Sequence, residues 1–277
     1  MCTLSWWVAE TERGIVFNRD ELRTRSRGEA SRIVDFPSGQ RILMPRDPDA
    51  GGTWMGVNDS GLIVALLNNY PFHSPRRPDQ ISRGQLVVDL LRQAETAAHC
   101  MTLLESLDRS VYQGFLLFAL GRADGPLARE WDGQSLKPIP LDGEGGLHVL
   151  TSSSFRQEEC EAFRVDLFAG KSRERATLKQ NHGSFHPEDP ALGPLMVRDD
   201  AATDSVTEVV VGSKHAHMWF QAVQGNPPVL SEPSIHELSL LELGIPPLGG
   251  SALKALSTRP LKGASQAAPA QEGGTPS

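Results

Sequence analysis

Residues 1–22 read MCTLSWWVAETERGIVFNRDEL, and the fold is decided by how this stretch pairs with itself. Residues 3–8 (TLSWWV) are β-branched and aromatic, as a strand requires, Glu10 to Gly14 reads as a turn, and Ile15 to Asn18 resumes a strand. A hairpin folding near Thr11 and Glu12 sets residues 18–22 beside residues 2–5, to within a residue or two. Asn18-Arg19-Asp20-Glu21 is thereby delivered next to Cys2 by local geometry alone.

Cys2 follows the initiator Met, so removal of Met1 would leave a thiol and a free α-amine on one residue. An α-amino group titrates near pH ~7.7 to 8, close enough to neutrality to act as a general base. A thiol is intrinsically nucleophilic and weak only because little thiolate exists, a weakness that a base on the same residue addresses. Arg19 would favour the thiolate or grip an oxyanion, and Asp20 would orient the amine. The plain alternative is that Cys at the second position is chance.

Outward from the hairpin, residues 23–50 are polar and punctuated by Pro and Gly, and read as loops and short strands. Thr53 to Val57, the turn Asn58-Asp59-Ser60-Gly61 and Leu62 to Asn69 form a second hairpin, whose apolar second arm fits a buried strand. Ser82 is an N-cap for a helix through Gln93, and a second helix spans Glu95 to Leu107. Strands return at 112–120, 127–131 and 147–151. A third helix covers Glu158 to Gly170, with Ala162, Val165 and Phe168 or Ala169 inward, and strands follow near 195–198, 206–211 and 215–223. This order suits an α+β layered fold with helices packed on sheets. Residues 1–257 read as one domain, and 258–277, holding one large aliphatic residue, as a disordered tail.

The start MCT, the tetrapeptide Asn18-Arg19-Asp20-Glu21, residues 51–58 (GGTWMGVN) with Gly61, Asn68-Asn69-Tyr70-Pro71 and Ser82-Arg83-Gly84-Gln85-Leu86 occur in order. Together they resemble the NRDE family, densely over residues 1–91 and diffusely to about 225. That family resembles the N-terminal-nucleophile hydrolases, and most of all the choloylglycine hydrolase and penicillin V acylase group. The resemblance implies a four-layer αββα sandwich with two antiparallel sheets, and cleavage of non-peptide amide C–N bonds by an N-terminal Cys. It places Cys2 as nucleophile and Asn69 as oxyanion donor, with Asn68 as the alternative, and sets Arg19 and Asp20 where the acylases carry an Arg and an Asp. Asn18, Trp54, Asn68, Ser152 and His182 are expected to line the substrate pocket, although Trp54 and Asn18 have equally good structural readings as core and turn residues. Two positions depart from the acylase pattern. Ser152 stands where they have Asn, and Thr203-Asp204-Ser205-Val206 stands where they bring an Arg.

The remaining features exclude more than they assign. A net charge of −7 argues against a broad nucleic-acid surface, and the apolar run Leu62 to Leu67 is too short to span a membrane. Three cysteines form no CxxC pair or disulfide framework, and the first residues lack the features of a secretory leader, so a reducing, cytoplasmic setting is expected. Cys100 and Cys160 read as buried, inert helix positions. His215 and His217 would share a strand face but belong to no recognisable ligand motif, and Asn181-His182 reads as a loop, so no metal and no cofactor are expected. Gly170-Lys171-Ser172 lacks the earlier Gly of a phosphate-binding loop. The partner is a small-molecule substrate or ligand, and the sequence sets no oligomeric state. Two functions remain: a Cys-dependent hydrolase of small amides, or a non-catalytic carrier or trafficking factor handling lipid or haem on the same fold.

Overall fold

In the computed structural model the chain begins with β1 (Cys2–Val8) and β2 (Arg13–Leu22), which pair antiparallel with Cys2 opposite Arg19 and Thr3 opposite Asn18. The structure describes residues 2–72, 77–141, 149–169 and 173–242. The tail 258–277 and Gly170-Lys171-Ser172 lie outside the described residues. The described residues belong to one compact unit, Met1–Leu243.

Five strands join the first hairpin in one sheet: β10 (Val149–Ser152), β11 (Ala201–Val211), β12 (His215–Gln224), β13 (Val229–Leu230) and β14 (Ser234–Ser239). The order is β10-β1-β2-β11-β12-β13, with β14 also pairing β12. The second sheet runs in sequence order through β3 (Glu29–Asp35), β4 (Arg41–Arg46), β5 (Met55–Asn58), β6 (Ile63–Asn68), β7 (Phe115–Leu120), β8 (Pro126–Trp131) and β9 (Leu136–Pro138). Among the described residues every strand pair in both sheets is antiparallel.

Three apolar layers account for the stacking. Leu4, Trp6, Ile15 and Phe17 of the first sheet meet Leu43, Val57, Ile63 and Leu67 of the second in the central core. On the outer face of the second sheet, Val64 and Leu66 pack with Leu86, Leu90 and Leu91 of α1 (Arg83–Gln93) and Cys100, Met101 and Leu104 of α2 (Ala97–Ser106). On the outer face of the first, Trp7 and Val16 pack with Phe168 of α3 (Gln157–Phe168) and Leu178 of α4 (Arg175–His182). The result is the four-layer αββα sandwich with two antiparallel sheets. Among the described residues no helix is long and apolar enough to cross a membrane.

Several local readings change. The register is tighter than the sequence suggests, because β1 runs to Val8 and β2 starts at Arg13, which brings residues 16–19 rather than 18–22 beside residues 2–5. Asn181 and His182 close a helix, α4, instead of lying in a loop. Helix α3 turns a different face inward: Cys160, Arg164 and Phe168 are buried, while Ala162, Val165 and Ala169 are exposed. An arginine in the inward row hides that face from any reading by hydrophobicity, and the segment around 195–198 contributes a single bridge, Val197 to Ala202, rather than a strand.

Candidate active site

Because directly paired residues of antiparallel strands share a face, the register sorts the site residues into two sets. Cys2, Arg19 across from it on β2, Ser152 across from it on β10 and Ser205 across from Arg19 on β11 all face the second sheet. Thr3, Asn18, Thr151 and the Asp20 carboxylate face α3 and α4.

Of the first set, Cys2 and Arg19 border a cavity of about 510 Å³ whose walls come from both sheets. Cys2, Arg19 and Asp20 supply one side; Trp54, Leu66 and Asn68 supply the other, with Ser82, Arg83 and Gly84 at the start of α1. Arg19 is buried, its guanidinium lies 4.6 Å over the Trp54 ring, and it donates from Nη1 to Asp204 Oδ2 at 2.8 Å and from Nη2 to Glu21 Oε2 at 2.9 Å. Asp204 is the extra residue of a bulge, since Thr203 pairs with Asp20 and Ser205 with Arg19. Its carboxylate also accepts from Arg27 Nε at 3.1 Å and from the Gly28 amide at 2.9 Å. The residue that stands where an Arg was anticipated is thus the anchor of Arg19. Burial raises the Cys2 thiol above its ordinary pKa, and the Asp20 charge adds to this; a hydrogen bond from the Asp20 main chain and the charge of Arg19 pull the other way.

The two asparagines at the end of β6 part company. Asn68 lines the cavity and donates from Nδ2 to the Tyr70 hydroxyl at 3.0 Å. Asn69 is turned away, donating to Glu130 Oε1 at 2.9 Å and to the Trp131 carbonyl at 3.4 Å, and it does not line the cavity. Asn68 is the last residue of β6, whereas Asn69 lies just past the strand end, its main-chain amide donating to the Gly114 carbonyl at 3.0 Å. Ser152 is buried beside Cys2 with its Oγ unpartnered among the described residues, and it is not on the cavity wall.

Asn18 and His182 meet, but behind the sheet. Asn18 Nδ2 donates to the carbonyls of His182 and Pro194 at 3.0 and 2.8 Å, which leaves its Oδ1 to accept from His182 Nδ1 at 2.7 Å. His182 Nε2 then accepts from Ser5 Oγ at 2.8 Å, so the imidazole is neutral with its proton on Nδ1. These three residues are buried and outside the cavity. Burial, with the Arg164 charge adding to it, pushes the His182 pKa down to about 3. Between an unfolded value near ~6.5 and that folded value the unfolded chain binds the extra proton. Stability contributed by neutral His182 is therefore complete above about pH 6.5 and is lost as pH falls toward 3, by up to about 1.4 kcal/mol per pH unit. Urea midpoints measured from pH 7 to 4 should show this slope, and His182→Gln should flatten it; an unchanged slope in the variant would reject the assignment.

Sequence reading missed Arg164. It is the largest fully buried side chain, and reaches from α3 to Asp20 Oδ2 at 3.4 Å, to Thr3 Oγ1 at 3.0 Å, and to the carbonyls of Leu192 and Gly193, each at 3.0 Å. Thr203 Oγ1 donates to the other Asp20 oxygen at 2.6 Å. The only available signal was the four-residue spacing of Cys160, Arg164 and Phe168. Cys100 and Cys160 are both buried, and burial raises the Cys100 thiol to about 12. His215 and His217 flank Glu237 on the surface at 3.0 and 2.8 Å, and among the described residues no group of three metal-ligating side chains is arranged to hold an ion.

The model of a family described as Transport and Golgi organisation 2 matches residues 1–168. The "Transport and Golgi organization 2 homolog" of Mus musculus is 33% identical over 107 residues, 37% of this chain and 36% of that relative's length. The chain's match thus spans about a third of the curated relative. Among solved structures, the C2A mutant of the conjugated bile acid hydrolase from Clostridium perfringens superposes with a TM-score of 0.52 at 12% identity, covering 86% of this chain and 92% of that one. The N-acylethanolamine-hydrolyzing acid amidase ortholog of Caenorhabditis elegans superposes at 0.49 and 10% identity, over 76% and 92% of the two chains.

Proposed function

Starting from the fact that the chain belongs to the Transport and Golgi organisation 2 family, we propose that it is an N-terminal-nucleophile hydrolase that cleaves a small non-peptide amide with Cys2. The observation that carries this reading is the convergence of Cys2, Arg19, Asp20 and Asn68 on one cavity to which both sheets contribute. The bile acid hydrolase fold supports it, since that protein is named for hydrolysis and its C2A mutant replaces a cysteine that also stands second in its own numbering.

In this reading, removal of Met1 exposes the α-amine of Cys2. The amine takes the thiol proton as Sγ attacks the substrate carbonyl carbon, and the proton passes to the departing nitrogen as the C–N bond breaks. Water then attacks the thioester, giving its proton to the same amine, and the thiolate leaves and is reprotonated. Asn68 is the oxyanion donor, because one N–H of its amide goes to Tyr70 and the other makes no bond among the described residues. In the same reading Asp20, clamped by Thr203 and Arg164, would hold the amine, a role supported by its main-chain hydrogen bond to Cys2. Residence in the cytoplasm goes with this chemistry, since initiator-Met processing supplies the amine.

A second reading, a ligand carrier without turnover, is favoured by one observation: Arg19 is already neutralised by Asp204 and Glu21, and the buried Cys2 thiol is raised. Intact mass followed by limiting alkylation separates the two. A hydrolase is expected to lack Met1 and to label at Cys2 at least about tenfold faster than at Cys100 or Cys160. Retained Met1, or equal labelling of the three thiols, would remove Cys2 as nucleophile.

A further inference from the structure

The charges lining the cavity are matched in pairs, with one exception. Asp20 faces Arg164 at 3.4 Å; Glu21 receives Arg19 at 2.9 Å and Arg25 at 2.6 Å; Asp47 receives Arg25 at 2.7 Å; and Asp49 lies 3.3 Å from the same guanidinium. Arg83 also lines the cavity, yet among the described residues it has no carboxylate partner and donates only to the Gly114 carbonyl, from Nη1 at 2.8 Å. A guanidinium carries five N–H donors, so most of its capacity is unused. Burial depresses the Arg83 pKa; Tyr70, Cys2 and, more weakly, Glu21 oppose this and the Arg25 charge adds to it, but Glu21 is already bonded to Arg19 and Arg25. A half-desolvated cation without a bonded carboxylate is costly, and the cost is recovered when an anion arrives.

Arg83 is also held in place. It occupies the first position of α1 behind the Ser82 cap, and the next residue, Gly84, lies against Gly52 so closely that a Cβ on Gly52 would fall 2.4 Å from the Gly84 carbonyl carbon. The Thr53 amide donates to the Gly84 carbonyl at 3.2 Å, which ties the backbone carrying Arg83 to the loop that carries Trp54. The positive end of the helix adds to the same field.

We propose that Arg83 binds a carboxylate on the substrate, so that the compound cleaved at Cys2 is a small amide that carries a carboxylate group. This rests on the hydrolase reading for the cleavage, although the binding itself does not require Cys2 to react. A monoanionic carboxylate fits better than a phosphate, because Glu21, Asp47 and Asp49 around the cavity repel a doubly charged group more strongly. The cavity volume of about 510 Å³ suits a compound of modest size.

Binding of malonamate, succinamate and glutaramate to the full chain, measured by calorimetry against the corresponding neutral diamides, tests the assignment. At least one amido acid is expected to bind about tenfold or more tightly than its diamide. Arg83→Gln should bring that pair within about twofold, and Arg83→Lys, which keeps the charge, should retain part of the preference. Lack of discrimination by the wild-type protein, absence of binding by all three acids, or a preference that survives in Arg83→Gln would overturn it. Should Arg83→Gln fail to fold, loss of part of the preference in Arg83→Lys is the supporting result, and an unchanged preference the contrary one. If the preference is present but Cys2 labels no faster than the other thiols, the hydrolase reading falls and the carboxylate site stands.

Discussion

Replacing Cys2 with Ala is expected to abolish turnover of a small amide, lowering kcat/KM by on the order of 10³-fold or more. The same change should cost only about 1–2 kcal/mol of stability, because it removes a single buried sulfur at the edge of the central core. Two variants bracket the mechanism. Cys2→Ser keeps an N-terminal nucleophile and should retain a trace of activity, since a hydroxyl with the same amine is a poorer nucleophile. Asn68→Ala should lower kcat by on the order of 10²-fold with a smaller change in KM, as expected for a donor that strengthens when the oxyanion forms. The measurement is steady-state kinetics beside thermal melts. Cys2→Ala turning over substrate at the wild-type rate would end the hydrolase reading.

Arg164→Leu should destabilise the fold by about 3–5 kcal/mol, the range for removing one partner of a buried ion pair. Asp20 would be left buried with Thr203 as its one remaining side-chain donor, and the carbonyls of Leu192 and Gly193 would lose theirs. A double variant, Arg164→Leu with Asp20→Asn, should recover part of the loss, because it removes the stranded charge as well. Urea unfolding reads both effects. A single variant within about 1 kcal/mol of wild type, or a double variant whose losses simply add, would show that Asp20 does not depend on Arg164.

Much of the layering could be read from the chain, because it rests on local signals. The Ser82 cap and the Leu86, Leu90, Leu91 face gave α1 directly, and the first hairpin gave the neighbourhood of Cys2. The site was less legible where a side chain's direction depends on one residue of register. Asn68 and Asn69 are chemically identical neighbours, and which of them reaches the cavity depends on where β6 ends and on Asn69 being drawn to Glu130, a partner distant in sequence. Arg164 was unreadable for another reason: its partners lie 13 to 161 residues away in sequence, and no local rule places a guanidinium in a core. The exchange of Arg for Asp204 is similar, since its meaning depends on a bulge that only the pairing of β2 with β11 creates. His182 was found as a residue but misplaced as a pocket group, because α4 carries it to the far side of the first sheet.

The cavity between the two sheets has a practical consequence for ligand discovery. One wall belongs to β1 and β2 and the other to β6 and α1, so neither sheet alone contains a binding site. Emptying the cavity and separating the layers are therefore linked, and a compound held there at 100 times its Kd adds about 2.7 kcal/mol to the whole fold rather than to one loop. Resistance of the β-core to a protease can thus report occupancy with no substrate known and no reaction followed. A mixture of small amides can be screened by whether the chain survives digestion, and the compound that protects it identified afterwards by its mass.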